Sequence, residues 1–318
     1  MKLKALSSYD GDRDTRFGDC IMLYKTDHLL VYDCGHSRHA EEVISFLKKH
    51  SKIKNVDIVL SHNDIDHTAG IELLMTWLSD NADYTVNIYA HLYLKHTDEI
   101  LDCIDDGRRK RERLKEALLE EYNNIASIVQ SAEEFGFTII EALPDTSVAD
   151  CTIVGPTVTE FIQTAAKAVD SRVSDTIGEG DAKETVMNAA SIQLKCYFDD
   201  GKAILLCGDA SPDFLKNLDS YHYIQLPHHG QLADARAIFG DLRDPYEKVF
   251  LISDNTGSSP TSGGSDDLCE WMENENYSPA LNTKESVVDI PKVVIGNISE
   301  SSSQTRRSCL GDLDCISI

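Results

Sequence analysis

The chain has 318 residues, 42% of them hydrophobic, which is enough for a sizeable core and excludes wholesale disorder. Thirty Lys and Arg against 54 Asp and Glu leave a net charge of −24. That balance argues against a protein that coats nucleic acid or an anionic membrane, because phosphates would be repelled, whereas a hard cation would be attracted.

In chain order, the apolar runs Ile21–Tyr24 and Leu29–Tyr32, split by a polar Lys-Thr-Asp-His turn, predict a β-hairpin whose second strand ends at Asp33 and Gly35. Residues 39–50 place Val43, Phe46 and Leu47 at helical spacing. A continuous apolar strand follows over 56–60, then the polar stretch 61–67, a helix over 71–78 and a strand over 84–91. This alternation predicts an α/β core. The segment 95–135, containing RRKRERLKEALLEEY, reads as a long charged helical insertion. A solvated helix with i, i+4 ion pairs explains it most simply. The alternative is a basic face (Arg108, Arg109, Lys110 and Arg111, with Arg113 and Lys115) for an anionic substrate or partner, the one concentrated positive region in the sequence.

Strands are predicted over 137–143 and 151–156, and the Gly- and Asp-rich residues 165–187 predict a loop or lid. Further strands are expected over 191–198, 203–210, 223–230 and 248–253, then a loop to 267 and a short helix over 267–275. Within that loop, residues 257–264 could form a backbone nest for phosphate, although a plain flexible loop is the simpler reading. The whole reads as one domain over 1–298 followed by a weakly ordered tail, 299–318. The nine cysteines never form a Cys-x-x-Cys pair, and no apolar run approaches the roughly 20 residues of a membrane span. The expectation is a cytoplasmic protein with reduced thiols that uses no membrane; Cys309 and Cys315 could pair, though nothing requires it.

The chemistry concentrates in Ser61-His62-Asn63-Asp64-Ile65-Asp66-His67. Four potential ligands in six positions cannot share one face of a helix or strand, so the segment predicts a loop with His62 and Asp64 pointing one way, Asp66 and His67 another. Two imidazoles and two carboxylates suit zinc, manganese or iron. A polar loop that merely caps the next helix is the alternative. Three more loci at strand ends weigh against it: Asp33, Asp209 and the pair His228-His229.

These motifs resemble the metallo-β-lactamase superfamily, whose signature is H-x-H/D-x-D-H. With Asp64 at the second position, the pattern resembles the hydrolase domain of the ComEC-type DNA-uptake channel. FGDC, VYDCG, NAASIQL, LLCGDA and LPHHG resemble that group's other motifs in the same order, over residues 17–254. The resemblance implies an α/β fold, an αββα sandwich with a charged helical insertion, and two divalent ions, zinc or manganese. It assigns His62 and Asp64 to the first ion, Asp66 and His67 to the second, Asp209 to both, and one of His228 or His229 to the second. Where the family carries a third histidine for the first ion, this sequence has Asn188, a weak ligand; the serine that follows H-H-G is here Gln231. Asp33 reads as a residue that orients a ligand histidine.

The implied activity is a metal-dependent phosphodiesterase or nuclease using a metal-bridging hydroxide oriented by Asp66, acting on nucleic acid or a small nucleotide. The histidine of the 228–229 pair that holds no metal is the candidate to protonate the leaving oxygen. The basic cluster, Arg172 and Lys183 would line an entry groove for a polynucleotide. Hydrolysis of an ester, lactone or amide is the alternative chemistry. A metal-binding scaffold acting through a protein partner is the alternative from another class.

Overall fold

The computed structural model describes residues 1–9, 18–104, 111–174, 186, 188–255 and 265–291. The chain opens with β1 (Lys2–Ala5), β2 (Ile21–Tyr24) and β3 (His28–Tyr32), then α1 (Ser37–Lys49), β4 (Asn55–Val59), α2 (Ile65–Thr68), α3 (Ile71–Ser79) and β5 (Thr85–Ala90). The insertion follows as α4 (Thr97–Ile104), α5 (Arg111–Glu121) and α6 (Asn123–Glu134), then β6 (Thr138–Glu141), β7 (Ser147–Val148), β8 (Cys151–Gly155) and α7 (Val158–Ser174). The second half adds β9 (Gln193–Tyr197), β10 (Ala203–Leu206), β11 (Tyr223–Gln225), α8 (Leu232–Asp241), β12 (Val249–Ile252), α9 (Asp266–Asn274), β13 (Leu281–Asn282) and β14 (Val288–Ile290).

These strands form two seven-stranded sheets, ordered β14-β1-β2-β3-β4-β5-β6 and β13-β12-β11-β10-β9-β8-β7. The central strands are apolar on both faces because both faces are covered. On β3 and β4, Leu29, Val31, Val56 and Ile58 face α1 and α3, while Leu30, Tyr32 and Val59 face the second sheet. On β10, Ile204 and Leu206 meet the first sheet, whereas Ala203 and Leu205 turn to Ile238 and Phe239 of α8 and Met272 of α9. A one-residue slip of β10 would exchange those sets, so the alternation fixes its register. The result is the expected αββα sandwich.

Several expectations are corrected. Residues 165–174 belong to α7 rather than a lid. Thr157 and Glu160 cap its start reciprocally, the Glu160 carboxylate accepting from Thr157 N–H and Thr157 Oγ1 accepting from Glu160 N–H. Phe161, Ala165 and Val169 bury its inner face. The charged stretch is three helices rather than one, with α5 and α6 breaking at Tyr122, whose ring stacks on Tyr93. The expectation of reduced thiols fails for Cys151 and Cys196, which are opposite one another on β8 and β9 and form a disulfide. Strands β1 and β14, not anticipated, pair along the edge of the first sheet. The suggested nest at 257–264, the tail at 299–318 with Cys309 and Cys315, and Arg108, Arg109, Lys110 and Lys183 lie outside the described residues, as does the side chain of Arg172. Among the described residues, no helix is long and apolar enough to cross a membrane.

Candidate metal centre

The acids and imidazoles gather where the central parallel strands end, the usual place for a site in an α/β sheet. Asp33 follows β3, His62 follows β4, Asp209 follows β10 and His228-His229 follow β11. The 61–67 segment is not wholly a loop: Asp64 leads into the single helical turn of α2, which carries Asp66 and His67. That turn still separates the donors as the spacing required, because only two of the four lie on it.

The backbone around it is tightly constrained. Asp19 N–H donates to the Asp66 carbonyl at 2.9 Å, and a Cβ on Gly35 would lie 1.6 Å from that oxygen. Asp33, His228 and His229 hold left-handed backbone conformations with φ of 60°, 49° and 54°. Such conformations cost of order 1–3 kcal/mol each and persist only where surrounding structure enforces them.

Each imidazole is held from behind at Nδ1 and presents Nε2 forward. Asp33 Oδ2 lies 2.8 Å from His67 Nδ1, and Asp19 Oδ1 lies 3.0 Å from His229 Nδ1. Ser61 Oγ donates to Asp33 Oδ2 at 2.6 Å and is left to accept from His62 Nδ1 at 2.9 Å. A carboxylate or committed acceptor at Nδ1 assigns the proton there and leaves the Nε2 lone pair free for a cation. The Nε2 atoms of His62 and His67 are buried and have no hydrogen-bond partner among the described residues.

The donor spacings fit shared cations. Around one position, His62 Nε2 is 3.6 Å from Asp64 Oδ2 and 3.8 Å from Asp209 Oδ2. Around a second, Asp209 Oδ2 is 3.6 Å from His67 Nε2 and 3.7 Å from His229 Nε2, which is 3.1 Å from Asp66 Oδ2. Ligands about 2.1 Å from a tetrahedral ion stand about 3.4 Å apart, so these gaps match co-ligands. Asp209 faces both groups and could bridge them. Asp19 and Asp33 touch the histidines only at Nδ1, which makes them orienting groups.

Asn188 is buried here too. Its Nδ2 donates to Asp64 Oδ2 at 2.8 Å, and its Oδ1 has no partner. The amide holds Asp64 in place, and its own oxygen is left without a partner among the described residues. His228 has the same orientation logic as the ligands: Nδ1 is 2.7 Å from Asp234 Oδ2 and Nε2 is unpartnered.

The charges are mutually dependent. Burial would lower the pKa of His67 and His229, but Asp209, with Asp33 and Asp19, raises both well above the ordinary histidine value. Burial opposes ionisation of Asp66 and Asp209, yet the histidines hold Asp66 at about 2 and Asp209 well below the carboxylate range. Without a cation the carboxylates are balanced by protons on the imidazoles. A divalent ion would take over that positive charge.

Several contributing residues escaped the sequence reading as site members. Asp19 stood in the noted FGDC motif, and the repeated Asp-Cys pair at 19–20 and 33–34 was an available signal. Gln225 Nε2 donates to Asp19 at 2.8 Å, and Asn255 Nδ2 donates to Asp66 at 2.7 Å. Neither carried a sequence signal. Arg111, from the basic cluster, is half-buried and bound to Asp98 and Asp102 at 2.9 and 2.8 Å. It starts α5, whose opposite end, Glu121, accepts from Asn63 Nδ2 of the metal loop, so about 15 Å of helix separates Arg111 from that contact.

The two sheets, their helical covers and this cluster define a metallo-β-lactamase fold. Residues 13–148 match the family model of the metallo-beta-lactamase superfamily, which includes metal-dependent hydrolases. No curated protein matches the chain. Among solved structures, it is similar to the metallo-beta-lactamase fold protein YhfI from Bacillus subtilis, with 14% identity, a TM-score of 0.48, and coverage of 91% of this chain and 98% of that one. A Cronobacter sakazakii metallo-beta-lactamase with a HARLDQ motif is 13% identical over 70% of this chain and 66% of its own, TM-score 0.31. The long form of RNase Z from yeast is 11% identical over 70% of this chain and 32% of its own, TM-score 0.37.

Proposed function

We propose that the chain is a binuclear metal-dependent phosphodiesterase, holding two zinc or manganese ions and acting on a nucleic acid or small nucleotide. The observation that carries this reading is the buried set of Nε2 and carboxylate oxygens facing one another at 3.1–3.8 Å around Asp209. In the proposed ligand set, His62, Asp64 and Asn188 serve one ion, Asp66, His67 and His229 the other, and Asp209 both. Bound divalent ions would supply Lewis-acid polarisation and lower the pKa of water at the site.

The chain's own groups do the rest. Asp33, Asp19 and Ser61 keep the imidazoles turned Nε2-forward, so no reorientation is needed at the moment of reaction. Asp66 Oδ2 accepts from Asn255 and faces His229 Nε2, which fixes that carboxylate oxygen beside the proposed ion. His228 is the candidate general acid: Asp234 holds Nδ1, and Nε2 is free to give a proton to the departing oxygen. Such an acid matters most for an alkoxide leaving group, as in a nucleotide phosphodiester. The ComEC-type motifs support the nuclease form of this reading.

The test is hydrolysis of bis-p-nitrophenyl phosphate by protein loaded with Mn²⁺ or Zn²⁺. Activity should disappear in Asp209→Asn, whose amide lacks the charge to hold two cations together. Activity within about threefold of wild type, less than 1 kcal/mol in barrier, would remove Asp209 from the proposed role.

A further inference from the structure

A cavity of about 640 Å³ opens where β3 and β4 of the first sheet begin, at the opposite strand ends from the candidate metal centre. It is bounded by Lys2, by Tyr24 and Lys25 at the β2–β3 turn, and by Lys49, His50 and Lys52 between α1 and β4. These positions flank the starts of β3 and β4, whereas Asp33 and His62 follow their ends, so the full strand length of about 17 Å separates the two sites.

The lining is a charge anomaly. In a chain of net charge −24, four lysines face one cavity against a single carboxylate, Asp199. Lys25 pairs with Asp150, but Lys2, Lys49 and Lys52 have no acidic partner among the described residues. Their neighbours behave differently: Lys48 lies over the Trp77 ring and Lys54 bonds Asp83 at 3.1 Å. Lys49, in the last turn of α1, also complements the helix dipole. That explanation does not reach Lys2, Lys25 or Lys52, which come from other elements. Ammonium groups left together repel one another, and an anion removes that repulsion. At physiological ionic strength the screening length is about 8 Å, so the acidic surface elsewhere does not cancel the local field.

The cavity walls include two rings. His50 stacks on Phe46 at 3.9 Å between centroids, and Tyr24 packs edge-on to Phe46 at 4.8 Å. A flat ring system carried by the anion would have apolar surface to lie against, and the volume falls within the range of small-molecule sites. We propose that this cavity binds a small phosphate-bearing anion of nucleotide size, the lysines taking the phosphate and Tyr24 and His50 the organic part. The site is independent of the metal centre and of the activity assigned to it.

Calorimetric titration of AMP into the full chain, kept in EDTA so that metal-bound phosphate cannot contribute, tests this. Saturable binding at one site per chain is expected, with inorganic phosphate competing. The triple variant Lys25→Gln, Lys49→Gln, Lys52→Gln should weaken binding about tenfold or more, because charge-assisted contacts are the strong ones. All three lysines are exposed, so the variant's melting temperature and its metal-dependent reporter hydrolysis should stay at wild-type values. No saturable binding, binding indifferent to the triple variant, or AMP binding that phosphate does not displace would each overturn the proposal. None of these outcomes bears on the metal centre.

Discussion

Asp33 lies 2.8 Å behind the Nδ1 of His67, and neither side chain has any exposed surface. The same carboxylate accepts from Ser61 N–H at 2.7 Å and from Ser61 Oγ at 2.6 Å, so one acid aligns two of the histidines proposed to hold metal, one of them through the serine. Asp33→Asn can preserve the shape but cannot accept at both oxygens. We expect the affinity for Mn²⁺ or Zn²⁺ to fall about 10- to 100-fold with the fold intact. Calorimetric titration of the metal-free variant checks this, and unchanged affinity would show that His67 is aligned by something else.

The glycines packed against the 61–67 segment lead to a separate expectation. A methyl at Gly35 would collide with the Asp66 carbonyl and with Gly18 Cα at 2.9 Å, both backbone atoms that cannot move aside cheaply. Gly35→Ala should therefore cost about 3 kcal/mol or more and impair metal binding. A methyl at Gly240, in α8, would meet nothing within 4 Å among the described residues, so Gly240→Ala should stabilise by about 0.5–1 kcal/mol. Urea unfolding of the two variants reads the contrast, and similar shifts for both would contradict the packing argument.

The dense segment 61–67 stood out because its candidate ligands are local in sequence and too crowded for any regular face. Gln225, Asn255 and Asp234 did not, because their roles arise only when β11, the end of β12 and α8 converge, whereas Asp19 had a signal, its Asp-Cys pair, that was passed over. The α7 helix was missed for a different reason. Its buried face carries Phe161 and Val169, but the alanines between them, Ala165, Ala166 and Ala168, blur the helical period, while the polar Gly- and Asp-rich composition beyond it suggested a loop. The Thr157–Glu160 capping pair was the overlooked signal. The two sheets were largely readable because strands buried on both faces leave continuous apolar runs, but the short edge strand β14 has too few residues to show a pattern.

Stability should also respond to pH through His91. Burial lowers its pKa to about 4, although Nε2 bonds the Ala190 carbonyl at 3.1 Å and the ring stacks on Phe161. Above pH 6.5 it is neutral both folded and unfolded. As pH falls below that value, the unfolded chain takes up a proton that the folded site refuses until about pH 4. Between pH 7 and 5 this linkage removes about 2 kcal/mol from the metal-free protein. His91→Gln keeps a donor for Ala190 and cannot titrate, so its urea midpoint should fall less over that interval. An equal fall in variant and wild type would refute the assignment.

Asp234 should matter in proportion to the leaving group. Asp234→Asn no longer holds His228 as a proton donor, so cleavage of a substrate with an alkyl leaving group should slow about 10²-fold or more. Release of p-nitrophenolate, which needs no proton, should change little. Equal losses for both substrates would place His228 outside the leaving-group step.

The central claim is that the cluster around Asp209 holds two divalent ions, and elemental analysis of the purified, metal-loaded protein tests it most directly. Two transition-metal ions per wild-type chain are expected, with the loss of at least one in the Asp66→Ala, His67→Ala double variant. A wild-type chain that carries none, and whose melting temperature does not rise with added Mn²⁺ or Zn²⁺, would contradict it.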